Sequence, residues 1–218
     1  MPGTLTDDVE IIDAGRGGGT DVPAGGDDDG EGSGSNLPRI PSRAYFTAVQ
    51  LSLAGIIMFF MALTSSFLVR KGLGDDWVSF ELPRILWFNT LVLIASGVTI
   101  QIAKSQLRKG LTDSFGRWWG ITIALGLLFL GGQLIAWREL AAQGVFMITN
   151  PSSSFFYLLT ALHGLHLLGG IVALGYVAVR DWRRSRITKP IAASLVSIYW
   201  HFMDGLWIFL LALLYLGR

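Results

Sequence analysis

Four ionisable residues lie inside otherwise apolar stretches of this sequence: His163, His166, His201 and Asp204. An ionisable group in hydrocarbon is costly, and it usually faces another protein group or a water-filled cavity. Three roles compete for this set. Two histidines on different helices could bind a haem, the imidazoles and the carboxyl could relay protons, or the four could form a buried polar cluster that fixes helix packing or holds lipid. The residue chemistry alone favours the third role.

The spacing of these residues restricts which of them can meet. His163 and His166 are three residues apart, so they lie within one turn on one helix face. His201, Asp204 and Trp207 follow the same spacing in the last apolar stretch. Asp204 could therefore accept a hydrogen bond from a histidine on its own helix or on the preceding one. Such a pair would fix the imidazole tautomer and lower the cost of burying both groups.

The composition indicates that these residues are carried by membrane-spanning helices. Hydrophobic residues make up 51% of the 218 residues and charged residues 15%, against about 25% charged residues in a soluble domain. Each apolar stretch approaches or exceeds the roughly 20 residues that cross a bilayer core. We predict an all-α, polytopic membrane protein with five spans in a bundle, at about 45–69, 85–103, 118–137, 155–179 and 190–217.

The N-terminal segment differs from the rest of the chain. Residues 1–36 contain nine acidic residues, one basic residue and ten glycines. Such a segment cannot bury enough apolar surface to offset its conformational entropy. We therefore predict a disordered acidic tail over residues 1–40 and a membrane domain over residues 41–218.

Basic residues predict how the five spans are oriented. Eleven lysines and arginines fall on the side that carries the N-terminal end of the first span, and five fall on the other side. The positive-inside rule then places the N-terminus in the cytoplasm and the C-terminus outside. The basic cluster at 180–189 fits this orientation signal and a contact with anionic lipid better than a nucleic-acid site.

Small and polar residues within the spans give cues to helix packing. A four-residue row of small side chains in the third span predicts close approach of a neighbouring helix. Its members are Gly116, Gly120, Ala124 and Gly132. Uncharged polar residues are candidates for hydrogen bonds between helices, namely Asn89, Thr90 and Gln133.

Several chemistries are excluded by absent residues. The chain has no cysteine, which excludes disulfides, thiolate metal sites and covalently attached c-type haem. It also has no phosphate-binding glycine loop, no HExxH metalloprotease motif and no nucleophile elbow.

Two segments resemble a known family. Residues 155–170 read FFYLLTALHGLHLLGG, similar to the F-Y-x-x-T-x-x-H-G-x-H-x-x-x-G segment of haem–copper oxidase subunit III. Residues 199–209 read YWHFMDGLWIF, similar to that family's Y-W-H-F-V-D-x-x-W segment. A weaker likeness covers the rest of residues 45–216. Many family members have seven helices, and five spans match the short bacterial form.

The resemblance implies an accessory subunit in a bacterial inner-membrane oxidase that reduces O2 with electrons from cytochrome c and translocates protons. Haems and copper are then expected in the partner subunits I and II and no cofactor or metal in this chain. Membrane phospholipids and a larger respiratory supercomplex are further expected partners. The implied lipid-cleft and packing residues are His163, Gly164, His166, Gly170, His201, Asp204 and Trp207.

One position departs from the family pattern. Many relatives carry a membrane-buried glutamate just before a Met-Phe-Phe stretch, and the corresponding residue here is Ile56. A proton-handling role for that carboxyl therefore does not transfer to this chain. The alternatives that remain are subunit III of a quinol oxidase and, from a different class, a free-standing haem b electron carrier.

Overall fold

The computed structural model of the protein describes residues 42–73, 83–148, 150–180 and 188–217. These residues form five α-helices and no β-strand: α1 (Ser42–Leu73), α2 (Ile85–Arg108), α3 (Thr112–Ala142), α4 (Pro151–Val179) and α5 (Lys189–Leu216). All five are long and apolar enough to cross a membrane. The prediction of an all-α fold with five spanning helices is confirmed.

Two of the predictions concern features outside these ranges. The acidic tail at 1–40 and the central part of the basic cluster, 181–187, lie outside the described residues. The orientation of the chain across the membrane also stays a prediction, since it rests on the distribution of charge alone.

Four of the helices are longer than the apolar stretches that predicted them. For example, α2 continues to Arg108 and α3 begins at Thr112. Long basic side chains can reach the head-group region from a helix end, so the helix need not stop where the apolar composition stops. The first turn of α4 contains Pro151, and a reciprocal capping box between Asn150 and Ser153 fixes its start.

Helices α2 to α5 form a closed ring in which each packs against the next, and α5 packs back against α2. Helix α1 contacts α4 and α5 from outside this ring, and within the described chain it does not pack against α2 or α3. The interior of the ring is therefore the best-enclosed part of the protein.

Hydrogen bonds cross each of the four interfaces in the ring. Their donor–acceptor distances are between 2.8 and 2.9 Å: Thr99 with Thr122 (α2–α3), Trp119 Nε1 to the Leu174 carbonyl (α3–α4), the Tyr199 hydroxyl to the His166 carbonyl (α4–α5), and Trp200 Nε1 to Ser96 Oγ (α5–α2). Hydrogen bonds between helices help to hold a bundle together in lipid, where apolar burial supplies little driving force.

The outer faces of the helices are strongly apolar. On α1, large side chains such as Leu51, Met58 and Leu68 are more than half exposed. A hydrocarbon solvent accepts such surfaces, and water would not accept them over this area. The side-chain distribution therefore agrees with five helices that lie in a membrane.

Candidate functional site: polar residues between the helices

His201 and Asp204 line an open cleft between α2 and α5, close to the middle of both helices. The cleft has a volume of about 600 Å³, and its other walls are mainly apolar side chains of α2, with Gln101 as a further polar group. The His201 ring is 46% exposed, whereas the Asp204 side chain is only 13% exposed. A carboxyl group thus lies at mid-membrane depth, just below the surface of the bundle.

The immediate partners of the Asp204 carboxyl are few. His201 Nδ1 lies 3.7 Å from Asp204 Oδ2, a distance that allows attraction but is too long for a direct hydrogen bond. The other oxygen, Oδ1, is buried and has no hydrogen-bond partner among the described residues. This carboxyl therefore retains unused capacity to accept hydrogen bonds.

Gly97 of α2 makes room for this carboxyl. A Cβ atom at position 97 would lie 2.6 Å from Asp204 Oδ2 and 3.4 Å from His201 Nδ1. The first distance is shorter than any ordinary van der Waals contact. A side chain at position 97 would therefore displace the Asp204 carboxyl from its present place.

His163 lies inside the ring and is fully buried. Its imidazole packs against Phe129 and Trp207, with ring centroids 5.9 and 5.1 Å away. Trp207 in turn donates its indole N–H to Thr90 Oγ1 at 3.0 Å. Neither nitrogen of His163 has a hydrogen-bond partner among the described residues, so aromatic packing determines the position of the ring.

His166 faces a different part of the protein, although it is only three residues further along α4. Its Nδ1 lies 2.7 Å from the Leu162 carbonyl oxygen, which fits an N–H donated to the preceding turn. Its ring packs edge-on against Phe60 of α1, with centroids 5.6 Å apart. His166 therefore takes part in the contact between α4 and the outer helix.

The two glycines of the predicted set differ in their surroundings. A Cβ at Gly170 would lie 3.1 Å from Tyr199 and 3.3 Å from Trp200, so this glycine accommodates two aromatic side chains of α5. A Cβ at Gly164 would meet only Leu130, at an ordinary 3.7 Å. Gly170 is therefore a packing position, and Gly164 lines a groove between α3 and α4.

A family model described as "Cytochrome c oxidase subunit III" matches residues 46–217, a range that holds all four ionisable residues and nearly all of the five helices. The chain belongs to this family. The resemblance noted in the sequence is confirmed.

Named relatives agree with the family model. "Probable cytochrome c oxidase subunit 3" of Nocardia farcinica is 37% identical over 76% of this chain and 84% of its own length. The protein of the same name from Mycobacterium tuberculosis (strain ATCC 25618 / H37Rv) is 36% identical over the same shares. "Cytochrome c oxidase subunit 3" of Thermostichus vulcanus is 33% identical over 73% of this chain and 80% of its own length.

Family membership and the five apolar helices together identify the chain as a multi-pass protein of the bacterial inner membrane. As a subunit III it belongs to an oxidoreductase complex and associates with other oxidase subunits.

The seven residues predicted as one set in this subunit III lie in separate places. His163, Gly170 and Trp207 are buried within the ring, His201 and Asp204 line the α2–α5 cleft, and His166 contacts α1. Gly164 lies in the α3–α4 groove. Within the described ranges, no group of three or more His, Asp or Glu side chains is placed to hold a metal ion.

Asp204 has its histidine neighbour on its own helix, one of the two arrangements that the sequence allowed. Gly97, which makes room for this pair, carried no signal of its own in the sequence, since a glycine in an apolar span has many uses. Ile56 is partly buried and packs against the core from α1.

Proposed function

We propose that this subunit III is an accessory core subunit of a respiratory haem–copper oxidase that reduces O2 to water and translocates protons, with no redox centre of its own. In this proposal, subunits I and II carry the haems and copper. Cytochrome c is the proposed electron donor, supported by the names of the relatives. Oxidation of a quinol, and not of reduced cytochrome c, by the purified complex would favour the alternative oxidase.

The observation that carries the proposal is the Asp204 carboxyl in the open cleft between α2 and α5. Such a group at mid-membrane depth is costly when it faces lipid, and it normally meets a polar partner. Its neighbour His201 is half exposed, and Oδ1 has no bond within the described part of the chain. We infer that a transmembrane helix of subunit I covers this cleft and donates a hydrogen bond to Asp204.

The surroundings of the three histidines support an accessory role. His163 is enclosed by aromatic rings, His166 is bonded to a carbonyl of its own helix, and His201 lies beside Asp204. A bis-histidine haem needs two imidazoles from different helices that face one another across the porphyrin. The three imidazoles have three different structural surroundings, and this arrangement fits a role in the packing and assembly of the bundle better than it fits haem binding.

Lipid binding by this subunit is also part of the proposal. Helices α1 and α5 border an apolar groove of about 310 Å³ that includes Phe60, the side chain against which His166 packs. An acyl chain matches such a groove in shape and polarity. We propose that lipid in this groove helps to hold α1, which has fewer protein neighbours than the other helices.

Replacement of Asp204 by alanine tests the interface. Removal of one partner from a buried polar contact costs about 1–3 kcal/mol, so recovery of haem-containing partner subunits with a tagged D204A chain should fall roughly tenfold. The haem content of the partner subunits should stay unchanged. Immunoblots measure how much of the tagged chain is present in membranes. Haem spectra of the purified material measure how much haem-containing partner is recovered with it.

Three further variants make this test specific. Asp113→Ala removes an exposed acid at the start of α3 and should leave recovery unchanged. Gly97→Ala should lower recovery as Asp204→Ala does, whereas Gly120→Ala, where a Cβ meets no atom within 4 Å, should not. Unchanged recovery with D204A, or loss of haem from an intact assembly, would contradict the proposal.

A further inference from the structure

The turn between α3 and α4 carries three exposed apolar side chains. Phe146, Met147 and Ile148 are 53%, 52% and 94% exposed. Turns that lie in water are usually rich in small polar residues. This turn instead belongs to a stretch, residues 140–179, that contains no aspartate, glutamate, lysine or arginine. A rigid cluster of exposed apolar side chains of this kind marks a surface that meets a partner other than water.

The turn between α2 and α3 provides a contrast. Both turns contain a glycine at positive φ, 75° at Gly110 and 76° at Gly144. The α2–α3 turn also has an exposed apolar residue, Leu111, but charged residues flank it on both sides, namely Lys109 and Asp113. The two turns therefore share a backbone feature and differ in the surroundings for which their side chains are suited.

Three consecutive backbone carbonyls of the α3–α4 turn accept hydrogen bonds from side chains of α4. The donors are the Tyr157 hydroxyl to Val145 at 2.9 Å, the Ser153 hydroxyl to Phe146 at 2.8 Å, and the Ser154 hydroxyl to Met147. In water, solvent would satisfy such carbonyls, whereas non-helical backbone at membrane depth must find its partners within the protein. At these three positions the backbone is thus prepared for apolar surroundings.

The turn folds back along α3 and does not extend away from it. Phe146 and Met147 border the same hollow as Leu134 and Trp137 of α3. The Tyr157 hydroxyl, which binds the turn, also lies 3.3 Å from the Trp137 carbonyl. Leu134 is exposed on the outside of the bundle, and tryptophan is typical of the membrane interface. The apolar surface of the turn therefore continues the lipid-facing surface of α3 at the level where that surface ends.

We propose that residues 145–148 are inserted into the membrane interface, with Phe146, Met147 and Ile148 among the upper parts of the acyl chains. The partner is the bilayer surface as a whole and not one bound lipid molecule. The insertion fixes the depth of α3 and α4, because a shift of this helix pair toward water would expose the three side chains. The turn belongs to the α3–α4 side of the ring, so a failure of this inference would leave the proposed α2–α5 interface standing.

A spin label on an Ile148→Cys variant tests the insertion in the complete oxidase complex in phosphatidylcholine nanodiscs. The chain has no cysteine of its own, and the unmodified complex gives the background from partner subunits. Relaxation of the label by molecular oxygen reports contact with acyl chains, and relaxation by a water-soluble nickel chelate reports contact with water. The oxygen-to-nickel ratio at position 148 should exceed the ratio for Leu111→Cys several-fold. It should approach the ratio for Ile135→Cys, which labels an exposed position on the outside of α3.

Two results would overturn the inference. An oxygen-to-nickel ratio for Ile148→Cys equal to that for Leu111→Cys would place the turn in water. Weak relaxation by both reagents would mean that another protein covers the turn. Met147→Cys provides a second label on the same turn, and its ratio should agree with the ratio for Ile148→Cys.

Discussion

Replacement of Gly132 by alanine is expected to prevent normal packing of α2 against α3. A Cβ atom at position 132 would lie 2.8 Å from Cγ and 2.9 Å from Nδ2 of Asn89, and nearer still to its Oδ1. Asn89 is itself buried, at 1% exposure, so its side chain has little space into which to move. Overpacking of this kind costs about 1–3 kcal/mol or more.

The effect can be measured as the loss of folded G132A chain from membranes and as a lower midpoint temperature in detergent. Gly131→Ala is the matched control, because a Cβ there meets no atom within 4 Å. The double variant Asn89→Ala with Gly132→Ala should recover most of the stability. Equal membrane levels and equal midpoint temperatures for the Gly131 and Gly132 variants would contradict the close contact between α2 and α3.

Replacement of Trp200 by alanine is expected to destabilise the whole ring. This side chain is fully buried, and its indole N–H donates to Ser96 Oγ at 2.9 Å. Its ring fills the space beside Gly126 of α3 and Gly170 of α4, at 2.8 and 3.3 Å from their Cβ positions. One residue of α5 thus joins three other helices, and its truncation should cost about 3–5 kcal/mol.

A loss of that size should lower the midpoint temperature of the detergent-solubilised chain by on the order of 10 °C. Trp200→Phe keeps much of the side-chain volume but loses the hydrogen bond. Its midpoint temperature should lie between those of the wild type and W200A. Trp87→Ala is the control, since Trp87 is 60% exposed on the outside of α2. Similar midpoint temperatures for W200A and W87A would contradict the central position of Trp200 in the ring.

The number and type of the helices could be predicted from the sequence because a lipid solvent leaves a strong signal. Uncharged apolar stretches of about 20 residues are typical of membrane spans. The ends were less predictable. The segment 104–108 carries two bases and still belongs to α2, because long basic side chains reach the membrane surface while the backbone stays helical.

Packing within the bundle was harder to predict. The row of small residues in α3 was expected to face a helix, but Gly116, Gly120 and Ala124 are exposed, and only Gly132 makes a close contact. An α-helix has 3.6 residues per turn, so a four-residue row drifts around its axis by about 40° per step. Gly132 therefore lies on a different face from Gly116.

The polar set could be located in the membrane from the sequence, but its division into separate places could not. A spacing of three positions rotates a side chain by about 300°, which is enough to give His163 and His166 different neighbours. Of the polar residues expected to bond between helices, Thr90 does so with Trp207. Asn89 and Gln133 have no such bond among the described residues.

The location of haem in material purified through a tag on this chain tests the proposed role most directly. In mild detergent, from respiring membranes, the tagged chain should bring down partner subunits that show a haem spectrum. After a stronger detergent separates the subunits, the Soret absorbance should stay with the partners. A Soret band that remains on the isolated tagged chain through washing would contradict the assignment as an accessory subunit without a redox centre.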